Sequence, residues 1–186
     1  MGKNILVITG SPRKNGNSEM LADAFIKGAQ SAGHETSKFE AAFKKINGCL
    51  ACDKCWSADR ACAAGDEFSK AEPLLEKADM IVFAFPLYWF SFPAQIKAFI
   101  DKLYAYLKTD AKRPLKIKSS AMLIAAGDEN ISVLDGIKKS FGFISSYMKW
   151  DNLGTLEAIG INVEGEIKET DYLAKAEEFG KQIISN

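Results

Sequence analysis

The first stretch of this sequence suited to chemistry is a loop of small polar residues between a strand-like and a helix-like segment. Residues 5–8 are four consecutive apolar residues, a pattern typical of a parallel strand covered on both faces. Residues 10–18 then read Gly-Ser-Pro-Arg-Lys-Asn-Gly-Asn-Ser. Because the first turn of a helix has unpaired N–H groups and the positive end of the helix dipole, this position suits an anion such as phosphate.

The side chains of this loop support the same interpretation. Ser11, Asn17 and Ser18 can each donate a neutral hydrogen bond to a phosphate oxygen, and Arg13 can add positive charge. Asn17 or Ser18 is also the expected N-cap of the helix. The alternative is an ordinary strand-to-helix turn that binds nothing.

The glycine spacing excludes two common nucleotide-binding loops. Gly10 and Gly16 have five residues between them and Asn17 follows, whereas nucleoside-triphosphate hydrolases use four residues and then Lys with Ser or Thr. The loop also lacks the three-glycine fingerprint of dinucleotide-binding sheets. The remaining candidate ligand is a phosphomonoester held by neutral donors. Flavin mononucleotide (FMN) is a cofactor with such a phosphate group.

A second loop is rich in aromatic residues. It follows another apolar run, residues 80–85, and comprises Pro86, Leu87, Tyr88, Trp89 and Phe90. The isoalloxazine ring of a flavin is flat and mostly apolar with polar edges, so a loop with aromatic side chains and backbone N–H groups suits it. The alternative is that these rings pack in the core or between subunits, and Phe92 is expected in the core.

All four cysteines lie within fourteen residues, at Cys49, Cys52, Cys55 and Cys62. Such spacing, with two, two and six residues between them, is typical of compact loops that ligate an iron–sulfur cluster or zinc. A disulfide framework is not expected in a chain with an ample core and no secretory pattern. The sequence leaves three alternatives for these cysteines: unmetallated thiols, a [4Fe-4S] cluster or a zinc site.

The two loops resemble those of the flavodoxin-like NAD(P)H-dependent FMN reductases and quinone reductases. That family has Gly-Ser-Pro-Arg followed by Gly-Asn-Ser or Gly-Asn-Thr in its first loop, and its ring-binding segment is similar to Phe-Pro-Leu-Tyr-Trp-Phe here. The cysteine spacing resembles the iron–sulfur flavoproteins, in which such a run holds a [4Fe-4S] cluster near the flavin. Other relatives keep a similar segment without a cluster. The resemblance implies a homodimer or homotetramer.

A third loop, after the apolar run 121–126, is placed by the same resemblance beside the flavin ring. Its candidate contacts are Gly127 and Asp128. The carboxylates of Asp128 and Glu129 would disfavour an anionic reduced flavin close by. The alternative is that they cap the next helix.

The element pattern predicts one domain over residues 1–186. Strand-like runs at 5–8, 34–39, 80–85, 121–126 and 153–163 alternate with amphipathic helix patterns. This alternation predicts a flavodoxin-like α/β fold, a doubly wound five-stranded parallel sheet in the order 2-1-3-4-5 with helices on both faces. Ligands of such sheets bind at the switch point between strands one and three, where the first two loops meet.

Composition narrows the classes of partner. The formal net charge of zero argues against nucleic acid, and no apolar stretch is long enough to span a bilayer, so a cytoplasmic protein is expected. The one histidine, His34, is expected at the surface without an acid–base role. The basic stretch Lys108–Lys118 could meet a nicotinamide phosphate or be a solvated connection.

Together these interpretations predict an FMN-dependent oxidoreductase. It would take a hydride from NAD(P)H and reduce a quinone, free flavin or similar small acceptor, with no catalytic side chain required because the cofactor carries the chemistry. One alternative is an electron carrier that uses FMN and a cluster to reduce a protein partner. Another is a flavin-binding regulatory module without turnover.

Overall fold

The computed structural model of the chain describes residues 2–57, 61–107 and 113–184. Its strands are β1 (Asn4–Thr9), β2 (Glu35–Glu40), β3 (Met80–Pro86), β4 (Ser119–Ala125) and β5 (Asp151–Ala158). Its α-helices are α1 (Asn17–Ser31), α2 (Glu72–Lys77), α3 (Ala94–Lys102), α4 (Asp135–Tyr147) and α5 (Tyr172–Lys181). Short 3-10 turns include Glu67–Lys70 and Leu103–Tyr106.

The five strands form one parallel sheet in the order β2-β1-β3-β4-β5, which confirms the predicted topology. The strands β3 and β4 are buried almost throughout, as expected for strands covered on both faces. One core lies under α1 and α5 and includes Leu21, Phe25 and Ala176. The other lies under α2, α3 and α4 and includes Phe99 and Phe141.

Three local predictions were wrong. Gly16 is the N-cap of α1 and has no side chain to cap the helix, while Asn17 is the first helical residue and its amide bonds to Val163. The last strand ends at Ala158, five residues before the predicted end, and Gly160 follows with a left-handed φ of 70°. The third concerns His34, which is buried rather than at the surface.

His34 joins the two ends of the described chain. Its Nδ1 accepts a hydrogen bond from the Lys3 N–H at 3.0 Å, and its Nε2 lies 2.7 Å from the carbonyl oxygen of Ile183. A carbonyl only accepts, so Nε2 carries the proton and the ring is neutral in this arrangement. The ring is therefore part of the structural frame at the amino end of β1.

The contact between α1 and α5 depends on two glycines. A Cβ atom at Gly28 would lie 1.9 Å from the carbonyl oxygen of Glu177, and one at Gly180 would lie 2.2 Å from that of Phe25. Neither position has room for a methyl group while the helix backbones keep this distance.

None of the helices in the described ranges combines the length and apolar character that crossing a bilayer requires.

We therefore predict that Gly28→Ala lowers the free energy of unfolding by about 2 kcal/mol or more, because the new methyl group forces α1 and α5 apart. Urea unfolding would measure the change. Gly142→Ala is the matched control: this helical glycine of α4 has no heavy atom within 4 Å of the added Cβ. The control should raise the free energy of unfolding by about 0.5–1 kcal/mol through helix propensity. Equal effects at both sites would contradict this account.

Candidate functional site

A cleft of about 180 Å³ opens at the carboxyl edge of the sheet. Eight of the predicted cofactor contacts line it: Ser11, Arg13, Asn17, Ser18, Pro86, Leu87, Tyr88 and Gly127. They come from the loops after β1, β3 and β4, which meet here because these strands are neighbours in the sheet. Three predicted contacts, Trp89, Phe90 and Asp128, do not line the cleft.

The loop after β1 presents hydroxyl groups and helix N–H groups to the cleft. Ser18 is only 2% exposed, in the first turn of α1. Ser11 is also buried, and its Oγ accepts from the Arg13 N–H at 3.1 Å, which fixes the curve of the loop. The first N–H groups of a helix have no intrahelical partners, so they are available to an anion.

The Asn17 side chain makes two hydrogen bonds that the sequence did not predict. Its Nδ2 donates to the carbonyl oxygen of Val163 at 2.8 Å, and its Oδ1 accepts from the Gly165 N–H at 3.0 Å. The side-chain amide therefore fastens the loop after β5 to the start of α1. The backbone N–H of Asn17 and the second N–H of its amide are left to face a ligand.

The loop after β5 is a part of the cleft that sequence reasoning missed. Ile161, Asn162 and Glu164 line the cleft. The Asn162 amide donates to the carbonyl oxygen of Gly127 at 2.9 Å and so joins this loop to the one after β4. Gly160 was the available signal, but the overlong prediction of the last strand placed Ile161 and Asn162 inside β5.

The aromatic loop ends in a tight two-residue turn. Tyr88 and Ser91 exchange two backbone hydrogen bonds, of 3.2 and 3.0 Å, around Trp89 and Phe90. Both central residues are left-handed, with φ of 46° and 59°, and are 93% and 60% exposed. Turns of this kind normally contain Asn-Gly, so two bulky aromatic residues here are under backbone strain.

The Asp128 carboxylate after β4 bonds within its own loop. The Asp128 carboxylate accepts from the Asn130 N–H at 2.8 Å, and the Asn130 side chain accepts from the Ser132 N–H at 3.0 Å. Asn130 is thus the N-cap of the next turn, rather than Asp128 or Glu129. Of the basic stretch after α3, residues 108–112 lie outside the described residues. Arg113 is bound to the carboxylates of Glu72 and Glu76.

The cysteine segment, defined here as residues 47–57 and 61–66, lies between β2 and α2 in the chain. All four cysteines are free thiols, with Cys49 and Cys52 exposed and the other two partly buried. Burial raises the pKa of the Cys55 thiol, and the negative charges of the other cysteines act in the same direction against a backbone hydrogen bond that lowers it. In the part of the chain that the structure describes, no three metal-ligand side chains converge closely enough to hold an ion.

Comparison with known proteins gives the family. A family model described as NADPH-dependent FMN reductase matches residues 3–145, more than half of the chain. The chain belongs to this family. The resemblance inferred from the first two loops is therefore confirmed.

Individual relatives of this FMN reductase family member agree with that assignment. The chain is 31% identical over 182 residues to an iron–sulfur flavoprotein of Archaeoglobus fulgidus, with 95% of this chain and 76% of that protein covered. It is 30% identical over 155 residues to an iron–sulfur flavoprotein of Methanosarcina thermophila, covering 83% of this chain and 76% of that protein.

Among solved structures, an NAD(P)H:quinone oxidoreductase from Methanothermobacter marburgensis matches with a TM-score of 0.79. The match covers 100% of this chain and 98% of that one at 17% identity. At this identity the match supports the flavodoxin-like fold, which agrees with the observed strand order.

In this FMN reductase family member, we predict that replacing Trp89-Phe90 by Asn-Gly raises the free energy of unfolding by about 1–3 kcal/mol, because both positions then suit a left-handed turn. Urea unfolding would measure the gain. Trp89→Ala removes the exposed ring but keeps a side chain at positive φ, so it serves as the control and should give no comparable gain. A loss of stability in the Asn-Gly variant would show that the rings are held by contacts stronger than the strain.

Proposed function

We propose that the chain binds FMN in the cleft and transfers electrons from NAD(P)H to a quinone, a free flavin or a similar small acceptor. The observation that carries this proposal is the meeting of the loop after β1 and the loop after β3 in one cleft at the switch point of the sheet. Membership of the FMN reductase family supports it.

The phosphate of FMN would lie at the start of α1. The buried hydroxyl group of Ser18 and the first helix N–H groups would donate to its oxygens, and Arg13 at the cleft would offset part of its charge. The site would therefore bind a phosphomonoester mainly through neutral donors, as the sequence pattern indicates.

The flavin ring would lie against the loop after β3. The N–H groups of Leu87 and Tyr88 already donate to the carbonyl oxygens of Ala125 and Ser91. Within the described part of this loop, the N–H groups of the exposed turn are then the donors left for the polar edge of the ring. The strained turn of Trp89 and Phe90 would thus hold these donors and two aromatic faces beside the cleft.

Bound FMN supplies the redox chemistry, by accepting a hydride from the nicotinamide donor and passing electrons to the acceptor. The chain holds the ring and leaves one face accessible to both substrates in turn. His34, the single histidine, is committed to backbone partners at the amino end of β1, so it does not serve the cleft as an acid or base.

To test the phosphate site, we predict that Ser18→Ala weakens FMN binding about tenfold, because one hydrogen bond to a charged group is lost. It should leave the binding of riboflavin, which lacks the phosphate, unchanged. Fluorescence titration of both ligands would measure the two constants. Ser31→Ala, at the opposite end of the same helix, is the control and should bind both ligands like the wild type. Equal loss for FMN and riboflavin would place the phosphate elsewhere.

A second candidate function is electron transfer to a protein partner through FMN and a [4Fe-4S] cluster. Two observations favour it: the spacing of the four cysteines, and the similarity of the chain to proteins named iron–sulfur flavoproteins. The donor set fits, because four thiolates are the usual ligands of such a cluster. Cys49, Cys52, Cys55 and Cys62 would hold it, and it would supply one-electron transfer.

An absorption spectrum of protein purified without oxygen, before and after addition of NADPH, separates these functions. Flavin bands that bleach, with no bound iron, would favour the reductase of small acceptors. A broad brown absorbance with about four iron and four sulfide per chain, lost in Cys52→Ser, would favour the second candidate. Flavin that NADPH does not bleach would favour a regulatory module, and protein that binds no FMN would contradict both redox functions.

Association into a homodimer or homotetramer stays a prediction. The exposed rings of Trp89 and Phe90 at the rim of the cleft support it, because exposed aromatic residues are common at interfaces between subunits.

A further inference from the structure

The two ends of the cysteine segment are joined by one carboxylate. Asp66 accepts hydrogen bonds from the N–H of Asn47, at 2.9 Å, and from the N–H of Phe68, at 3.1 Å. Beside it, Glu67 accepts from the Lys45 N–H at 2.7 Å, and its own N–H donates to the Lys45 carbonyl. We call this junction the neck, formed by residues 45–47 and 66–68. All four cysteines lie in the loop that the neck closes.

A buried lysine of α3 supports the neck. The side chain of Lys102 is 1% exposed, and its ammonium group forms an ion pair with Asp66, whose side chain is 7% exposed. The same ammonium lies 5.7 Å from the centre of the Phe68 ring. A fully buried lysine is rare and requires a partner, so this residue is committed to Asp66 and hence to the neck. Burial by itself raises the pKa of Asp66, but hydrogen bonds from Lys102 and from backbone N–H groups hold that pKa below its usual value.

Further contacts tie the middle and the end of the segment to the rest of the chain. The hydroxyl group of Tyr104, two residues after Lys102, donates to Asp53 at 3.0 Å, and its ring stacks on Trp56 with centroids 5.0 Å apart. The buried carboxylate of Glu72 accepts from the Cys62 N–H at 3.2 Å. The segment is thus held from outside by residues that are not thiols.

We propose that Lys102 is a positioning residue of the cysteine segment: it holds Asp66, Asp66 closes the neck, and the closed neck restricts the loop that carries the four thiols. The proposal deepens the second candidate function and rests on it for the identity of the ligand. The arrangement itself belongs to the metal-free chain. Ligands on a loop whose ends are fixed before the metal arrives lose less conformational freedom when they bind it.

Alkylation of the metal-free protein by iodoacetamide tests this proposal. Lys102→Met removes the charge with little change in size and leaves Asp66 without its cation. We expect the neck to open more often, so that Cys55 and Cys62, the partly buried thiols, react about tenfold faster or more. FMN affinity should stay at the wild-type value, because Lys102 does not line the cleft.

Lys97→Met is the matched control. Lys97 lies on the same helix and also pairs with an aspartate, Asp101, but its side chain is 56% exposed. It should alkylate like the wild type. If Lys102→Met binds FMN and its two partly buried thiols react no faster than those of Lys97→Met, the proposal is wrong.

A second variant separates positioning from general destabilisation. Asp66→Asn weakens the same neck from the other side of the pair, because it leaves the buried Lys102 ammonium without its carboxylate, and it tests the proposal if Lys102→Met does not fold. The double variant should react little faster than either single variant, because both act on one junction. Additive increases would indicate two unrelated losses of stability and would overturn the proposal.

Iron uptake after anaerobic reconstitution distinguishes this proposal from the function on which it rests. If the wild type takes up iron, Lys102→Met should take up less at limiting iron than Lys97→Met does. If the wild type takes up none, the second candidate function fails, and the alkylation rates still decide whether Lys102 positions the thiols.

Discussion

The parallel pairing of β1 with β3 determines where this molecule can bind a ligand. The two strands run side by side from Ile5 opposite Met80 to Thr9 opposite Ala84. Since the chain leaves β1 toward one face and β3 toward the other, the loops that follow them separate and leave a crevice at the carboxyl edge. The hydroxyl-rich loop and the aromatic loop are thereby brought together, although about seventy residues separate them in the chain.

The crevice is completed by contacts that reach it from the far end of the chain. α5 packs on α1 at two glycines, and the loop between β5 and α5 lies at the start of α1. The Asn17 amide then fastens that loop, and Asn162 joins it to the loop after β4. The loop that leads into α5, which packs on α1 on one face of the sheet, therefore forms one wall of the cleft at the edge of the sheet.

Much of the fold follows from short patterns in the sequence. The continuous apolar runs placed β1, β3 and β4, and the element alternation predicted the strand order. Two of the three errors share a physical cause, which is contact between residues far apart in the chain. Asn17 is a residue type that favours the N-cap position, but its side chain bonds to Val163, 146 residues further along the chain. His34 looks like a surface residue until both of its nitrogens find backbone partners from opposite ends of the chain.

The candidate site was predictable to the same extent. Residue types were enough to identify the hydroxyl-rich and aromatic loops. They did not predict the left-handed turn that points Trp89 and Phe90 away from the cleft, because aromatic residues rarely adopt this conformation. The support of the cysteine segment was also hidden, because Lys102 has the spacing of an ordinary helix residue and its burial depends on Asp66.

The way the cysteine segment is attached also bears on how such a chain can change over evolution. Its anchors, Lys102, Tyr104, Asp66 and Glu72, are absent from the lining of the cleft in the described part of the chain. Substitutions in the segment and in its anchors can therefore accumulate while the cleft keeps its shape. The segment is a separable module on a common scaffold, so thiol chemistry can be gained, altered or lost by descendants of one fold without rebuilding the site at the edge of the sheet.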